Sequence, residues 1–216
     1  MRNKKDILQI KNRLLSAFKD AKSELKFNNH YELIVCVMLS AQCTDKRVNL
    51  ITPALFEAYP NVKALANANL ASVKALINSC SFFNNKAQNL IKMAKSVMID
   101  HSGVIPLDED KLKNLAGVGQ KTAHVVMLEA TGANVMAVDT HVFRVAHRLN
   151  LSNAKTPEAT ESDLSSAFKT DLGKLHQALV LFGRYTCKAQ KPLCEKCLLN
   201  DLCKSKDKRL DITLPN

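Results

Sequence analysis

Hydrophobic side chains recur along most of the chain at the spacing of an α-helix. The clearest stripe lies between Asn84 or Asn85, either of which would open the helix, and Gly103, which would end it. Its apolar positions are Ala87, Leu90, Ile91, Ala94, Val97 and Met98. Because no segment shows the sustained alternation of a β-strand, the pattern predicts an all-α protein.

A second helix is predicted where a capping signal precedes an apolar run. Asn29 is followed three residues later by Glu32, the spacing of a capping box, and the segment Leu33 to Leu39 comes next. We expect this segment to be a buried helix. Further helical stretches are predicted near residues 4–19, 44–58, 70–78, 140–149, 157–169 and 172–186. The tail from Lys204 onward is predicted to be poorly committed to structure.

The composition indicates a folded chain with an excess of positive charge. Its 216 residues suffice for one large or two small domains, and 46% of them are hydrophobic. Lysine and arginine number 31 against 20 acidic residues, which favours a polyanionic partner such as nucleic acid. Basic residues also outnumber acidic ones between Arg184 and Arg209, so this end of the chain forms a local basic patch.

Neither a membrane span nor a secretory leader is expected. The run Leu33 to Leu39 is far shorter than the roughly 20 apolar residues that a transmembrane helix needs. Met1 to Leu15 mixes lysine, arginine and aspartate throughout, unlike a secretory leader. We therefore expect a cytoplasmic protein that is not secreted, in a reducing compartment.

Four cysteines near the end of the chain form a candidate metal or cluster site. They follow the spacing C-x6-C-x2-C-x5-C and are Cys187, Cys194, Cys197 and Cys203. Four thiolates suit either a [4Fe-4S] cluster or a structural zinc ion, and the charge of the site does not separate the two. Structural disulfides are disfavoured in a reducing compartment. The remaining cysteines are expected to be unpaired thiols: Cys36, Cys43 and Cys80.

Two predicted helices between residues 107 and 130 flank a glycine turn. Their apolar positions are Leu107, Leu112 and Leu115, then Ala123, Val126 and Met127. Gly117 and Gly119 permit left-handed backbone angles in the turn. N–H groups at the start of the second helix can bind a phosphate whatever the base. The alternative is a plain helical hairpin that uses glycine for geometry alone.

Two charged residues occupy helix starts. Lys121 comes two residues after Gly119, in the first turn of the second hairpin helix, where a plain role would be pairing with a phosphate. Asp139 separates an apolar segment from a predicted helix, the position of an N-cap carboxylate. His141 could serve an active site, but a structural role explains it at least as well.

Three motifs in a fixed order resemble the bacterial endonuclease III family. They are LAGVGQKTA from Leu115, VDTHVFRV from Val138 and the four-cysteine spacing, and the similarity extends from SAQCTD at Ser40 through Cys203. The resemblance implies a helix-hairpin-helix DNA glycosylase of base excision repair with abasic-site lyase activity. It would act as a monomer, near the bacterial nucleoid, on double-stranded DNA with oxidised pyrimidine or abasic lesions. It also implies a [4Fe-4S] cluster rather than zinc on the four cysteines.

The resemblance implies roles for the matching residues of the active site. Lys121 matches the lysine that attacks C1′ of the damaged nucleotide, displaces the base and leaves a Schiff base, from which β-elimination cuts the strand. Asp139 matches the essential aspartate, which stabilises cationic sugar character and moves protons. Gly117 and Gly119 would bind the DNA backbone, as would Lys188 and Lys191 near the cysteines.

Base excision from a duplex requires the nucleotide to rotate out of the stack while side chains fill the gap. Gln42 matches the family's gap-filling glutamine. The opposing wedge is usually a leucine after a glycine, whereas this chain has Ser81 and Phe82. We assign the wedge to Phe82, with burial in the core as the alternative.

The resemblance further implies two helical domains with the DNA cleft between them. A six-helix domain with the hairpin would span 22–132, and the iron-sulfur domain would join 1–21 to 133–216. Lys121 and Asp139 would then face each other across the junction.

Two other functions remain open. A monofunctional adenine DNA glycosylase of the same superfamily shares the scaffold, but has another residue at the position of Lys121 and an extra C-terminal domain. A non-enzymatic iron-sulfur DNA-binding protein would use the hairpin and the cysteines alone.

Overall fold

The computed structural model describes residues 2–209, and the regular secondary structure in this range is entirely helical. The helices are α1 (Lys4–Ala17), α2 (His30–Ser40), α3 (Asp45–Ala58), α4 (Val62–Ala66), α5 (Leu70–Ile77), α6 (Phe83–Asp100), α7 (Glu109–Lys113), α8 (Gln120–Thr131), α9 (Thr140–Arg148), α10 (Pro157–Phe168) and α11 (Leu172–Tyr185). The predicted all-α class is confirmed. No helix among these residues is both long and apolar enough to cross a membrane.

The predicted helices are present with bounds close to those expected, and a short one was missed. α4 has five residues, too few to show a periodic apolar pattern. The side chain of Asn61 caps it by accepting a hydrogen bond from the Ala64 N–H at 2.9 Å. A single polar residue therefore starts a helix that hydrophobic spacing does not reveal.

The predicted capping box at α2 is present with one change of partner. Asn29 Oδ1 accepts from the Glu32 N–H at 2.9 Å, as expected. Glu32 Oε2 in return accepts from the N–H of Asn28 at 2.7 Å, one residue before the cap. Every residue from Leu33 to Leu39 is buried, which confirms the predicted core helix.

Within the described residues, the chain divides into two compact units, with boundaries after Lys22 and after Ala133. In the unit from Ser23 to Ala133, α2 packs against α3, α6 and α8. α6 also packs against α4 and α5, and α7 packs against α8. The hairpin therefore rests on the buried helix α2 through its second helix.

The other unit joins α1 to α9, α10 and α11. α1 packs against α10 and α11 and buries Ile10 and Leu14 completely. Lys11 Nζ lies 2.8 Å from a carboxylate oxygen of Asp171, and Arg13 pairs with Asp201. The start of the chain is thus fastened by apolar packing and ion pairs to the part that carries the four clustered cysteines.

Residues with positive φ angles lie at or near both ends of α6. The predicted caps Asn84 and Asn85 lie inside the helix, because Phe82 is the N-cap, in a left-handed conformation with φ 57°. At the other end Gly103 has φ 81°, and its N–H reaches back to the Val97 carbonyl at 2.9 Å. The predicted stop at Gly103 is confirmed, whereas the predicted start was wrong.

The tail predicted to be uncommitted is described as far as Arg209, and residues 210–216 lie outside the described residues. In the described part, Asp207 accepts from Arg148 Nε at 3.2 Å. Lys208 Nζ donates to the Asn200 carbonyl at 2.9 Å. These contacts hold 204–209 against the cysteine segment, so the prediction was wrong for this stretch.

Candidate functional site

The hairpin turn depends on Gly117. Its φ is +79°, and a Cβ placed there would lie 2.8 Å from Cβ of Asn89 in α6. Left-handed geometry and close approach therefore both require glycine. Leu115 and Val118 are buried on either side, and the Val118 N–H bonds to the Leu115 carbonyl at 3.1 Å. The turn is anchored by its apolar residues.

Gly119 does not use the left-handed region that glycine permits, because its backbone is extended (φ −91°, ψ 178°). It is the N-cap of α8, where it supplies no side-chain hydrogen bond, and an added Cβ would meet nothing within 4 Å. Space beside the start of α8 is therefore open. The N–H groups of a first helical turn lack intrahelical partners and favour an anion, which is the property expected of a phosphate-binding hairpin.

A contact between a carboxylate and an imidazole joins the two hairpin helices. Glu109 Oε2 in α7 lies 3.1 Å from Nε2 of His124, a buried residue of α8. The other carboxylate oxygen accepts from Lys113 Nζ at 3.0 Å. The hydrogen bond from Lys113 lowers the pKa of Glu109, and His124 acts in the same direction. The hairpin is thus fastened across its helices as well as through its turn.

Lys121 is the second residue of α8 and is exposed. Within residues 2–209 its amine makes no hydrogen bond or ion pair. Since most of the neighbouring residues from Ala123 to Leu128 are buried, the exposed amine stands on a rigid helix. It is accessible to a group that approaches the start of α8.

Asp139 is the N-cap of α9, as its sequence position predicted. Its Oδ1 accepts from the Val142 N–H at 2.7 Å, while the residues before it, Met136 to Val138, are buried. The carboxylate is half-buried, and its Oδ2 makes no hydrogen bond with the described residues. Lys121 and Asp139 belong to different compact units.

Gln42 and Phe82 lie in loops of the same unit as Lys121 and share an uncommon backbone conformation. Their φ angles are 53° and 57°, in the left-handed region. Phe82 is 63% exposed, which excludes burial in the core, and Gln42 is also exposed. The left-handed residue is Phe82 itself, so the loop reverses without a glycine at Ser81.

The loops of Gln42 and Phe82 are brought together by neighbours that sequence reasoning missed. Cys43 and Cys80 are free thiols, as predicted, but their sulfurs lie only 3.3 Å apart. The nearly buried Lys86 of α6 donates to the carbonyls of Leu39 and Ala41, at 2.7 and 2.6 Å. No local signal marks these contacts, because they join segments far apart in the sequence.

The four clustered cysteines line a single cavity. The cavity wall also includes Leu149, Phe182, Pro192 and Leu193. Backbone N–H groups donate to two of the sulfurs: Leu199 to Cys197 Sγ and Arg209 to Cys194 Sγ, each at 3.4 Å. Hydrogen bonds to sulfur are among the means by which proteins tune iron-sulfur centres.

The donor set fits an iron-sulfur cluster. All four sulfurs line a common cavity, and four cysteine thiolates are the usual ligands of a [4Fe-4S] cluster.

Arg144 and Arg148 of α9 hold the cysteine segment, a role that sequence reasoning missed. Arg148 donates to the carbonyl of Lys188 at 2.6 Å and to Sγ of Cys187 at 3.6 Å. Arg144 donates to the Cys187 carbonyl at 3.1 Å. Burial raises the pKa of the Cys187 thiol, whereas the hydrogen bond and charge of Arg148 oppose this effect. The spacing of four residues between Arg144 and Arg148 predicts that both lie on one face of α9, but it does not reveal that this face contacts the cysteine segment.

His141 has a structural environment. Its Nδ1 lies 3.2 Å from Arg144 Nη2, and a Cβ added to Gly183 of α11 would come within 2.9 Å of the His141 Cβ. The close approach of α9 to α11 at this point agrees with a structural role for His141.

Lys188 and Lys191 are both exposed in the segment that follows α11, and Lys191 has φ 48°.

Two segments of the chain match models of known protein families. Residues 35–170 match the HhH-GPD superfamily of base excision DNA repair proteins. Residues 187–203 match the iron-sulfur binding domain of endonuclease III. The fold and its hairpin therefore define a base excision repair protein of the HhH-GPD superfamily.

Individual relatives narrow this class. Endonuclease III of Haemophilus influenzae is 40% identical over 210 residues, which cover 95% of this chain and 98% of that protein. The Bacillus subtilis endonuclease III is 40% identical over 211 residues, 97% and 96% of the two chains. A solved structure of a trapped endonuclease III–DNA covalent intermediate has a TM-score of 0.91 at 38% identity, covering 94% of this chain and 97% of that one.

The chain belongs to the endonuclease III family. The predicted family, enzyme class and iron-sulfur cofactor are thereby confirmed: the chain is a DNA glycosylase of base excision repair that binds DNA and carries a [4Fe-4S] cluster.

Proposed function

We propose that this chain is a bifunctional DNA glycosylase and abasic-site lyase that removes oxidised pyrimidines from duplex DNA. The observation that carries the proposal is the exposed amine of Lys121, which stands beside the open N-cap Gly119. The similar solved structure described as a trapped covalent intermediate with DNA supports a covalent mechanism. We further propose that the enzyme acts as a monomer, in the cytoplasm at the nucleoid.

The proposed reaction begins with the neutral amine of Lys121. Its lone pair forms a bond to C1′ of the damaged nucleotide as the bond from C1′ to the base breaks, and the base leaves with a proton. Opening of the sugar ring gives a protonated Schiff base between Nζ and C1′. Loss of a proton from C2′ then expels the 3′ phosphate by β-elimination, and water releases the lysine.

Asp139 is proposed to assist at the sugar. The hydrogen bond from the Val142 N–H holds Oδ1, which fixes the carboxylate and leaves Oδ2 to accept and return protons. Its negative charge would stabilise positive character at the sugar ring.

DNA would be bound by three kinds of group. Gly117 shapes the hairpin and Gly119 leaves the start of α8 open, so backbone N–H groups there would bind phosphate irrespective of sequence. Lys188 and Lys191 would add phosphate contacts from the cysteine segment. Gln42 and Phe82 would enter the duplex and fill the gap left by the rotated nucleotide.

The four cysteines are proposed to hold the cluster and, through it, the basic segment. They are Cys187, Cys194, Cys197 and Cys203. When bound, the cluster supplies a cross-link among distant parts of a segment that lacks helices. Because four thiolates complete its ligand set, the residues that act on the sugar are those of the other segments.

Borohydride trapping tests the lyase. Iron-loaded protein is incubated with duplex DNA that carries thymine glycol or an abasic site, and borohydride reduces the Schiff base to a stable adduct. We expect the wild type and Lys95→Gln, a matched change of an exposed lysine in α6, to be trapped. Lys121→Gln should reduce trapping by at least about 100-fold.

Two outcomes would contradict this proposal. Trapping by Lys121→Gln at the wild-type level would assign the nucleophile to another amine. If iron-loaded wild type forms no adduct but releases adenine from mismatched DNA, the monofunctional adenine glycosylase is the better assignment. Light scattering of the free protein and of its DNA complex tests the monomer, which a dimeric mass would contradict.

A further inference from the structure

Cys43 and Cys80 are neighbours at the base of the loops that carry Gln42 and Phe82. Their sulfurs are 3.3 Å apart, although the residues come from separate turns, one between α2 and α3 and the other between α5 and α6. We propose that Cys43 and Cys80 form a reversible redox pair, which closes to an intramolecular disulfide and thereby controls the two loops.

The backbone around each cysteine allows this closure. A disulfide bond is about 2.05 Å long, so the sulfurs need to approach by about 1 Å. Both residues lie in turns, where the N–H of Cys43 bonds to the Ser40 carbonyl at 3.0 Å and that of Cys80 to Ile77 at 2.9 Å. A turn absorbs such a movement more easily than a helix interior, because fewer hydrogen bonds have to change.

The two thiols are unequal, which sets the order of reaction. Cys80 is buried, and burial together with the contact to Cys43 raises the pKa of its thiol to about 12. Cys43 is partly exposed, so it is the thiol that an oxidant reaches first. The positive charges of Lys86 and Arg47 act on Cys80 in the opposite direction to burial and favour its thiolate during the second step.

The proposed oxidant is a low-molecular-weight disulfide. The thiol of Cys43 loses its proton and attacks one sulfur of that disulfide, forming a mixed disulfide and releasing one small thiol. Cys80 then loses its proton and attacks Cys43 Sγ, which releases the second small thiol. Two protein thiols are oxidised by two electrons, and one small disulfide is reduced to two thiols. Excess small thiol reverses the reaction.

Closure would alter the loops assigned to the DNA duplex. Gln42 is adjacent to Cys43, while Phe82 lies two residues after Cys80, and both adopt left-handed backbone angles. A displacement of about 1 Å in a positioning element can lower a reaction rate by as much as 100-fold. We expect at least about a tenfold loss of base excision in the disulfide form, a consequence that rests on the proposed function.

Cys36 provides a matched control. It is fully buried in α2, and its Sγ lies 3.5 Å from the carbonyl of Lys26, with no second thiol as its partner within residues 2–209. Cys36→Ala removes a thiol of the same unit but should leave the redox pair intact. Cys43→Ser and Cys80→Ala each remove one member of that pair.

The experiment titrates iron-loaded protein with glutathione disulfide and follows the cysteines by differential alkylation and mass spectrometry. Wild type and Cys36→Ala should yield a peptide cross-linked between Cys43 and Cys80, which dithiothreitol reverses. Cys80→Ala should stop at a glutathione adduct on Cys43, and Cys43→Ser should form neither product. A wild type that stops at this adduct, or remains unmodified, would overturn the proposal.

Activity is measured on the same samples while visible absorbance confirms that the cluster is retained. Reduced wild type and reduced Cys43→Ser should release the base, and oxidation should slow the wild type at least about tenfold but not Cys43→Ser, which forms neither product. Unchanged activity of the cross-linked wild type would overturn control of the loops. If the wild type forms the cross-link when oxidised but releases no base from any lesion when reduced, the proposed function is contradicted instead.

Discussion

The hairpin and the cysteine segment are both proposed to bind DNA, but they are stabilised in different ways. Contacts within the hairpin hold its two helices together, through the Gly117 turn and the contact of Glu109 with His124. The segment after Tyr185 has no helix up to Arg209, and side chains of α9 bind its carbonyls. A proposed DNA-binding segment can therefore be stabilised by local backbone geometry or by side chains of a distant helix. We expect mutations to destabilise the two segments in different ways.

The largest expected effect is the loss of the cluster. Cys197→Ser replaces a strong iron ligand by a hydroxyl, and we expect most of the iron to be lost because the remaining ligand set is incomplete. Metal analysis measures the loss. Hydrogen exchange should then show faster exchange of amides in the cysteine segment, while α8 keeps its protection.

Cys36→Ala is the control for that experiment, since it removes a buried thiol away from the cluster and should retain full iron. Equal loss of protection in α8 and in the cysteine segment of Cys197→Ser would show that the hairpin also depends on the cluster. The two segments would then not be stabilised independently.

The next effect concerns the turn. Gly117→Ala places a Cβ in a left-handed residue 2.8 Å from Asn89, so we expect a loss of about 2 kcal/mol or more in the free energy of unfolding. Gly119→Ala meets no atom within 4 Å and should cost less than about 1 kcal/mol. Urea unfolding of both variants measures the difference. Similar losses would mean that the hairpin does not depend on the geometry of Gly117.

A smaller effect is expected from the basic side chains. Replacing both Lys188 and Lys191 by alanine should reduce the slope of log K against log salt by about 2, since each phosphate contact contributes about 1. Fluorescence anisotropy with duplex DNA at several salt concentrations measures this slope. Lys63→Ala, an exposed lysine of α4 with no assigned role, should leave it unchanged. An unchanged slope in the double variant would remove these lysines from the interface.

The smallest effect is a pH dependence within the hairpin. The pKa of Glu109 is lowered in the folded state, so its stabilising contribution is present above the unfolded value of about 4.3 and is lost as the pH falls through the folded value. Hydrogen exchange of α8 should therefore differ between the wild type and Glu109→Gln at pH 6, and this difference should shrink below pH 4. A difference that persists in acid would contradict a role for the Glu109 carboxylate.

Local residue patterns predicted much of this molecule because their causes are local. The Asn29 cap, the buried helix after it and the stop at Gly103 each follow from a few adjacent residues. The start of α6 was predicted incorrectly, because Phe82 takes a left-handed conformation that its residue type does not favour. Gly119 is extended because it is the N-cap of α8, and an N-cap residue ordinarily takes the β region.

By itself the sequence determined the helices, the family and which residues are candidates for chemistry, because periodic burial, caps and cysteine spacing act within one segment. Only the tertiary structure decided which distant groups meet. It brought Cys43 against Cys80, and it placed Arg148 on the carbonyls of the cysteine segment. These contacts depend on how complete helices pack, and no pattern within either segment specifies its partner.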